Sequence, residues 1–89
     1  MVRKDITIIN KLGLHARAAA KLVTLASEFE SDIQLARGSR QVNAKSIMGV
    51  MMLAAGKGTN LELIAIGADE ETAVQRLEKL VMDRFGEGE

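Results

Sequence analysis

His15, the only histidine among 89 residues, stands in "NKLGLHARAAAKL", Asn10 to Leu22, one residue before a run that reads as the opening turn of a helix. Taken alone, a histidine at a helix start is more often a surface or capping residue than a nucleophile. Its neighbours point further. The first amides of a helix have no internal acceptor, and with the macrodipole they make a ready site for an anion. Arg17 adds a planar cationic fork suited to phosphate oxygens. A phosphoryl group carried on the imidazole would meet donors already aimed at it. Imidazole titrates near neutrality, so a neutral ring with a lone pair free to attack phosphorus is available at pH 7. Dipole effects of about 0.3 to 2 kcal/mol are large enough to tune transfer and too small to trap the group.

Positioning such a ring needs a scaffold, and the flanking pattern supplies one. "DITIIN", Asp5 to Asn10, is β-branched, with Ile6 and Ile8 on one side and Thr7 and Ile9 on the other, which suits a half-buried strand. Gly13 then permits a sharp redirection of the backbone before His15. From Ala16 onward Ala19, Leu22, Val23, Ala26 and Phe29 recur at spacings of three and four, an apolar helical stripe. "SDIQLARGSRQVNA" reads as a hairpin: Ile33 and Leu35 alternate with Asp32 and Gln34, Gly38 and Ser39 turn the chain, and Arg40 to Asn43 return. In "AKSIMGVMMLAAGKG" Ser46 is the expected N-cap of a short helix and Gly56 its stop.

"NLELIAIG" is a fourth strand, with Leu61, Leu63 and Ala65 on one face and Glu62, Ile64 and Ile66 on the other. Asp69 is expected to cap a final helix striped by Ala73, Val74, Leu77, Leu80, Val81 and Phe85, after which "GEGE" should fray. Strand, helix, strand, strand, helix, strand, helix predicts an α+β open-faced sandwich, helices on one side of a small antiparallel sheet. The other face, carrying Ile9, Ile64 and Ile66, would meet water.

Composition narrows the functions. A chain of 89 residues makes one domain, 1–89, able to bury roughly 60 to 65 per cent of its unfolded surface. With no cysteine and one histidine, neither a thiolate nor an imidazole-cluster metal site can form, so no metal is expected. There is no secretory leader pattern and no apolar run approaching the roughly 20 residues needed to span a bilayer, which predicts a cytoplasmic protein without membrane insertion. Residues 1–58 hold nine Lys or Arg against four Asp or Glu, and residues 59–89 hold three against eight, so a basic face is expected. Such a face could meet nucleic acid, but with Phe29 and Phe85 the only aromatics there is no base-stacking platform, and nucleic acid is not the expected partner.

"LGLHARAAAKLV", followed some thirty residues later by "KSIMGVMMLAAGKG", resembles the histidine-containing phosphocarrier (HPr) family of bacterial phosphotransferase systems over nearly the whole chain. The resemblance implies four antiparallel strands with three helices on one side. It implies that Nδ1 of His15 accepts a phosphoryl group from Enzyme I, itself charged by phosphoenolpyruvate, and passes it to an Enzyme IIA domain. Arg17 matches the guanidinium that stabilises the charge, and Gly13 the turn that presents both. Such a protein is a stoichiometric carrier and not an enzyme, needs no cofactor, and is expected to be a monomer.

Ala18 departs from the family pattern, in which many relatives have proline; alanine restores one possible donor. The serine matching Ser46 is in some relatives phosphorylated by an HPr kinase, a charge that could repel an acidic partner. In the short helix Ile47, Met48, Val50, Met51, Met52 and Leu53 are too apolar for one small stripe. Val50 and Leu53 suit the core. By resemblance to the family's docking surface, Ile47, Met48, Met51 and Met52 are contact candidates, with Arg17, Lys21 and Lys45 as a basic rim or an ordinary solvated surface. A nitrogen-branch regulatory carrier would share the His15 chemistry and differ in partners, and a binding module switched at Ser46 would not need His15.

Overall fold

Ile6, Ile33, Leu35, Leu61, Leu63 and Ala65 are buried on strands that the computed structural model, which describes residues 1–89, joins in one four-stranded antiparallel sheet. In chain order the elements are β1 (Val2–Thr7), α1 (Ala16–Ala26), β2 (Asp32–Arg37), β3 (Arg40–Asn43), α2 (Ile47–Met52), β4 (Asn60–Ile66) and α3 (Glu70–Met82). The sheet order is β1-β4-β2-β3. β4 lies between two partners, pairing Leu61 with Ile6 and Leu63 with Leu35. Ile6, Ile33, Leu35, Leu61, Leu63 and Ala65 are buried with Leu22, Ala26, Val50, Leu77 and Val81 of the helices. The helices cover one face, the arrangement expected from the sequence.

Boundaries differ where side chains outvote periodicity. β1 begins at Val2, three residues before the expected start, and ends at Thr7. Its register with β4 runs from Val2 opposite Ala65 to Thr7 opposite Asn60, and Ile8 continues the contact through Thr59 and Gly58. An edge strand tolerates charge on its open sides. Arg3 grips Glu62 with two nitrogens at 2.7 and 3.2 Å, and Lys4 reaches Glu78 on α3 at 3.6 Å. Ile64, expected on the wet face, is buried, with Arg3 and Gln34, whose long stems can cover apolar surface, opposite it on the two neighbouring strands.

α2 stops before Gly56. Its C-cap is Leu53, and Ala54 takes the left-handed turn at φ 50°. Arg37 Nη1 donates to the carbonyls of Leu53 and Ala54 at 2.8 and 2.9 Å, and Arg40 Nη1 to that of Met52 at 2.8 Å, so cations from the hairpin answer the helix's negative end. Phe85 is buried as expected but is not on α3, which ends at Met82. Arg84, Phe85 and Gly86 all have positive φ, a reversal that drives Phe85 inward and turns the last residues back. "GEGE" therefore does not simply fray.

Asp69 precedes α3 without capping it through its side chain. Its carboxylate accepts from the amides of Glu30 and Ser31, each at 3.0 Å, and from the Ser31 hydroxyl, tying the start of α3 to the loop before β2. Glu70 takes the local role, accepting from Gly67 N at 3.1 Å. The Ser31 hydroxyl, then the Glu30 amide, hold the Asp69 carboxyl below its ordinary range. A depressed carboxyl contributes stability above its unfolded value, lost as pH falls through the folded one. Asp69→Ala should lower Tm by several degrees at pH 7, and the gap from the parent should close on acidification below about pH 4. A gap that stays constant down to pH 2 would show that the carboxylate's charge is irrelevant.

Candidate functional site

The backbone of His15 is extended (φ −71°, ψ 177°) and its carbonyl accepts from Ala19 N at 2.8 Å, which makes it the N-cap of α1. Its side chain does not cap. The amides of Ala16, Arg17 and Ala18 thus have neither a backbone nor a side-chain acceptor, and the first turn holds no acidic residue to answer the dipole. These three amide donors face no protein acceptor. Ala18 and Ala19 are fully buried, so the start of the helix is packed down firmly.

The loop before it is pinned on both sides. Gly13 has φ +69°, and a Cβ there would lie 2.7 Å from the Ala55 carbonyl and from Gly56 Cα. Only glycine permits that approach, and it lets Leu14 N donate to the Ala55 carbonyl at 2.8 Å. Asn10, fully buried, donates from Nδ2 to the Gly13 carbonyl at 2.8 Å. The strand end, the loop and the segment after α2 together hold the imidazole.

The ring itself is engaged from the far end of the chain. Nε2 of His15 is hydrogen-bonded to Oε2 of Glu87, and Oε1 of Glu87 accepts from Asn10 Nδ2 at 2.9 Å. Nδ1 has no protein partner. The hydrogen bond from His15, then that from Asn10, hold the Glu87 carboxyl below the ordinary carboxylate range. The His15 side chain remains 29% exposed, in an open cleft whose charged lining is Lys11, Arg17, Lys21, Glu87 and Glu89.

The predicted site residues divide. Arg17 is exposed beside His15 and enters no hydrogen bond or ion pair, so its guanidinium is uncommitted. Lys21 lines the cleft but is tethered, donating from Nζ to the Phe85 carbonyl at 2.6 Å. Lys45 is not part of this rim. Its Nζ donates to the Phe29 carbonyl at 2.7 Å, beyond the C-terminal end of α1, and that eleven-residue helix puts roughly 16 Å between its ends. Ser46 caps α2 as expected, its Oγ accepting from Gly49 N at 3.2 Å.

Val50 and Leu53 are buried, whereas Ile47, Met48, Met51 and Met52 are exposed, Met48 at 74%. Leu12, 66% exposed next to the cleft, is an apolar neighbour that the sequence pattern did not single out. Nor did it single out Glu87. Lys11 pairs with Glu89 at 3.9 Å, and the backbone N of Lys11 donates to the Glu89 carbonyl at 2.6 Å, so the last acidic residue of the chain lies against a cation of the basic half.

The family described as "PTS HPr component phosphorylation site" matches residues 2–83. Among named relatives, the chain is 58% identical over 89 residues to the phosphocarrier protein HPr of Cupriavidus necator, covering 100% of each. It is 53% identical over 89 residues to that of Neisseria meningitidis, again covering 100% of each. The crystal structure of HPr-C-His from Thermoanaerobacter tengcongensis superposes with a TM-score of 0.95 at 47% identity, covering 98% of each chain.

Gly13 is the tightest joint of the site. Gly13→Ala should cost about 2 to 4 kcal/mol in denaturant unfolding, combining left-handed strain with displacement of the Ala55–Gly56 backbone. A loss below about 0.5 kcal/mol, within the ordinary range for surface substitutions, would show that the loop is free to move.

Proposed function

Because the chain belongs to the HPr family of phosphotransferase-system phosphocarriers, we propose that Nδ1 of His15 is its phosphoryl acceptor. The observation that carries this reading is an N-cap histidine whose side chain leaves three helix amides unpaired, beside an uncommitted Arg17. The lone pair of Nδ1 attacks the phosphorus of phospho-Enzyme I, a bond from nitrogen to phosphorus forms, and the donor's own phosphorus–nitrogen bond breaks. The amides of Ala16, Arg17 and Ala18 and the Arg17 guanidinium receive the charge on the phosphoryl oxygens. Transfer to an Enzyme IIA domain reverses the roles. Both partners bring a reacting group into line, so the carrier supplies position and electrostatics, is consumed and regenerated stoichiometrically, and works in the cytoplasm.

Ile47, Met48, Met51 and Met52, with Leu12, form the apolar contact surface for both partners. Flexible thioethers adapt to surfaces of unlike shape. Lys21 contributes charge while holding the chain's end, and Lys45 acts as a structural tie. Ser46 is a cap first. A phosphate there would have to exchange the bond from Gly49 N for one to its own oxygen.

Incubation with Enzyme I and phosphoenolpyruvate should place an acid-labile phosphate on His15, and His15→Ala should take up none. Arg17→Ala should slow transfer on the order of a hundredfold with little change in stability. Label confined to Ser46 or another residue would reject the relay. Running the assay with sugar-type and nitrogen-type Enzyme I assigns the pathway branch by the faster donor.

A further inference from the structure

The last three residues follow a reversal that places an acidic side chain on the one histidine. Phe85 is buried and anchors the end of the chain, the Phe85 carbonyl is held by Lys21 Nζ at 2.6 Å, and the Glu89 carbonyl by Lys11 N at 2.6 Å. Between these ties the Glu87 carboxylate is fixed by Asn10 at 2.9 Å, itself fully buried and held to Gly13. Glu87 is therefore a clamped group. It presents Oε2 to Nε2 of His15.

A carboxylate only accepts, so Nε2 must carry a hydrogen in this contact. In a neutral ring the proton then sits on Nε2 and the lone pair on Nδ1. We propose that Glu87 is a positioning residue for the transfer reaction: it selects the Nε2–H tautomer of His15, orients the ring, and balances the positive charge the ring acquires when Nδ1 bonds to phosphorus. This rests on the reading of His15 as acceptor and adds a group to it. During attack the Nε2 proton stays where it is, the Nδ1 electron pair becomes the new bond, and the donor nitrogen leaves with the old bond's pair. No proton need be lost or gained. The ring becomes an imidazolium carrying a phosphoryl group, with Glu87 at its Nε2–H.

The same arrangement separates charges. The phosphoryl oxygens would face the unpaired amides and Arg17, while the carboxylate stays bound at the other ring nitrogen. A carboxylate behind a histidine is a recurrent way of fixing tautomer and orientation, and at metal-bound histidines its removal costs about 10- to 100-fold. Lys11, Arg17, Lys21 and Glu89 are the other charged groups of the cleft, and among all five only Glu87 is hydrogen-bonded to the ring.

The test uses the full chain with uniformly nitrogen-15-labelled histidine. In the unmodified protein, His15 should show a single Nε2–H tautomer with its proton protected from solvent exchange. Glu87→Ala should lose that protection and average the two ring nitrogens, and should slow transfer from phospho-Enzyme I on the order of tenfold. Glu87→Gln, which keeps an acceptor oxygen without the charge, should restore the tautomer but only part of the rate. An Nδ1–H tautomer in the parent, or a Glu87→Ala protein with parent spectra and parent rate, would overturn the proposal. So would equal slowing in both variants with the tautomer unchanged in each, which marks a structural role only. If the ring behaves as expected while phosphate appears on a residue other than His15, the carrier reading fails and the tautomer contact stands by itself.

Discussion

The structure turns on a helix start that is left unanswered. α2 is capped by the Ser46 hydroxyl, and α3 opens with Glu70 and Glu71 against its positive end. α1 receives neither a side-chain oxygen nor an acidic residue, and carries Arg17 in its first turn instead. Forgoing a cap costs about 0.5 to 2 kcal/mol, and a cation at the positive pole adds to that. The neighbouring contacts offset the cost: the Gly13 approach to Ala55–Gly56, the bond from Leu14 to Ala55, and the full burial of Ala18 and Ala19. A segment held that firmly can keep its donors unsatisfied without unwinding. An arriving anion then gains what the native chain forgoes.

The chain's end completes the balance. Three cations and an unsatisfied helix terminus concentrated around one imidazole would repel one another, and Glu87 and Glu89 lie among them. The reversal at Arg84, Phe85 and Gly86 makes this possible, because a helix continued past Met82 would carry those carboxylates away from the cleft. Two non-glycine residues with positive φ are an unusual expense of backbone energy. Burial of Phe85 is the evident compensation, since it is among the largest fully buried side chains in the protein. Strain, packing and site electrostatics are here one feature.

Much of this was legible in the sequence. The alternation of Ile6, Ile8, Ile33, Leu35, Leu61 and Leu63 and the stripe through Ala19, Leu22 and Ala26 gave the layers, because burial on one face imposes periods that survive in the residue order. His15, Gly13 and the Ser46 cap were legible for the same local reason. What escaped was decided by partners distant in sequence. Asp69 carries the signature of an N-cap, yet it serves Glu30 and Ser31, about forty residues earlier. Lys45 has the composition of a surface cation and is spent on Phe29. Glu87 sits between two glycines, a pattern of disorder, until the buried Phe85 and the Lys21 and Lys11 ties give it an address. Periodicity cannot report such contacts, because each joins one residue to one residue.

The antiparallel pairing of α1 and α2 links the chemistry to recognition. At one end Leu14 is bonded to Ala55, just after α2, and at the other Lys45, just before α2, is bonded to Phe29, just after α1. These two ties fix where the exposed face of α2 stands relative to His15. A partner that reads Met48, Met51 and Met52 is therefore registered on the ring without touching it, provided α2 cannot slide. Arg37 and Arg40 secure that condition by holding the last carbonyls of α2 from the hairpin side. On the proposed reading, adaptable side chains on a rigid backbone let unlike partners dock with the same geometry at the imidazole. On that reading, this is why one small chain can both receive and deliver through a single atom: variation is confined to thioether rotamers, and the helix start that binds the phosphoryl group stays fixed.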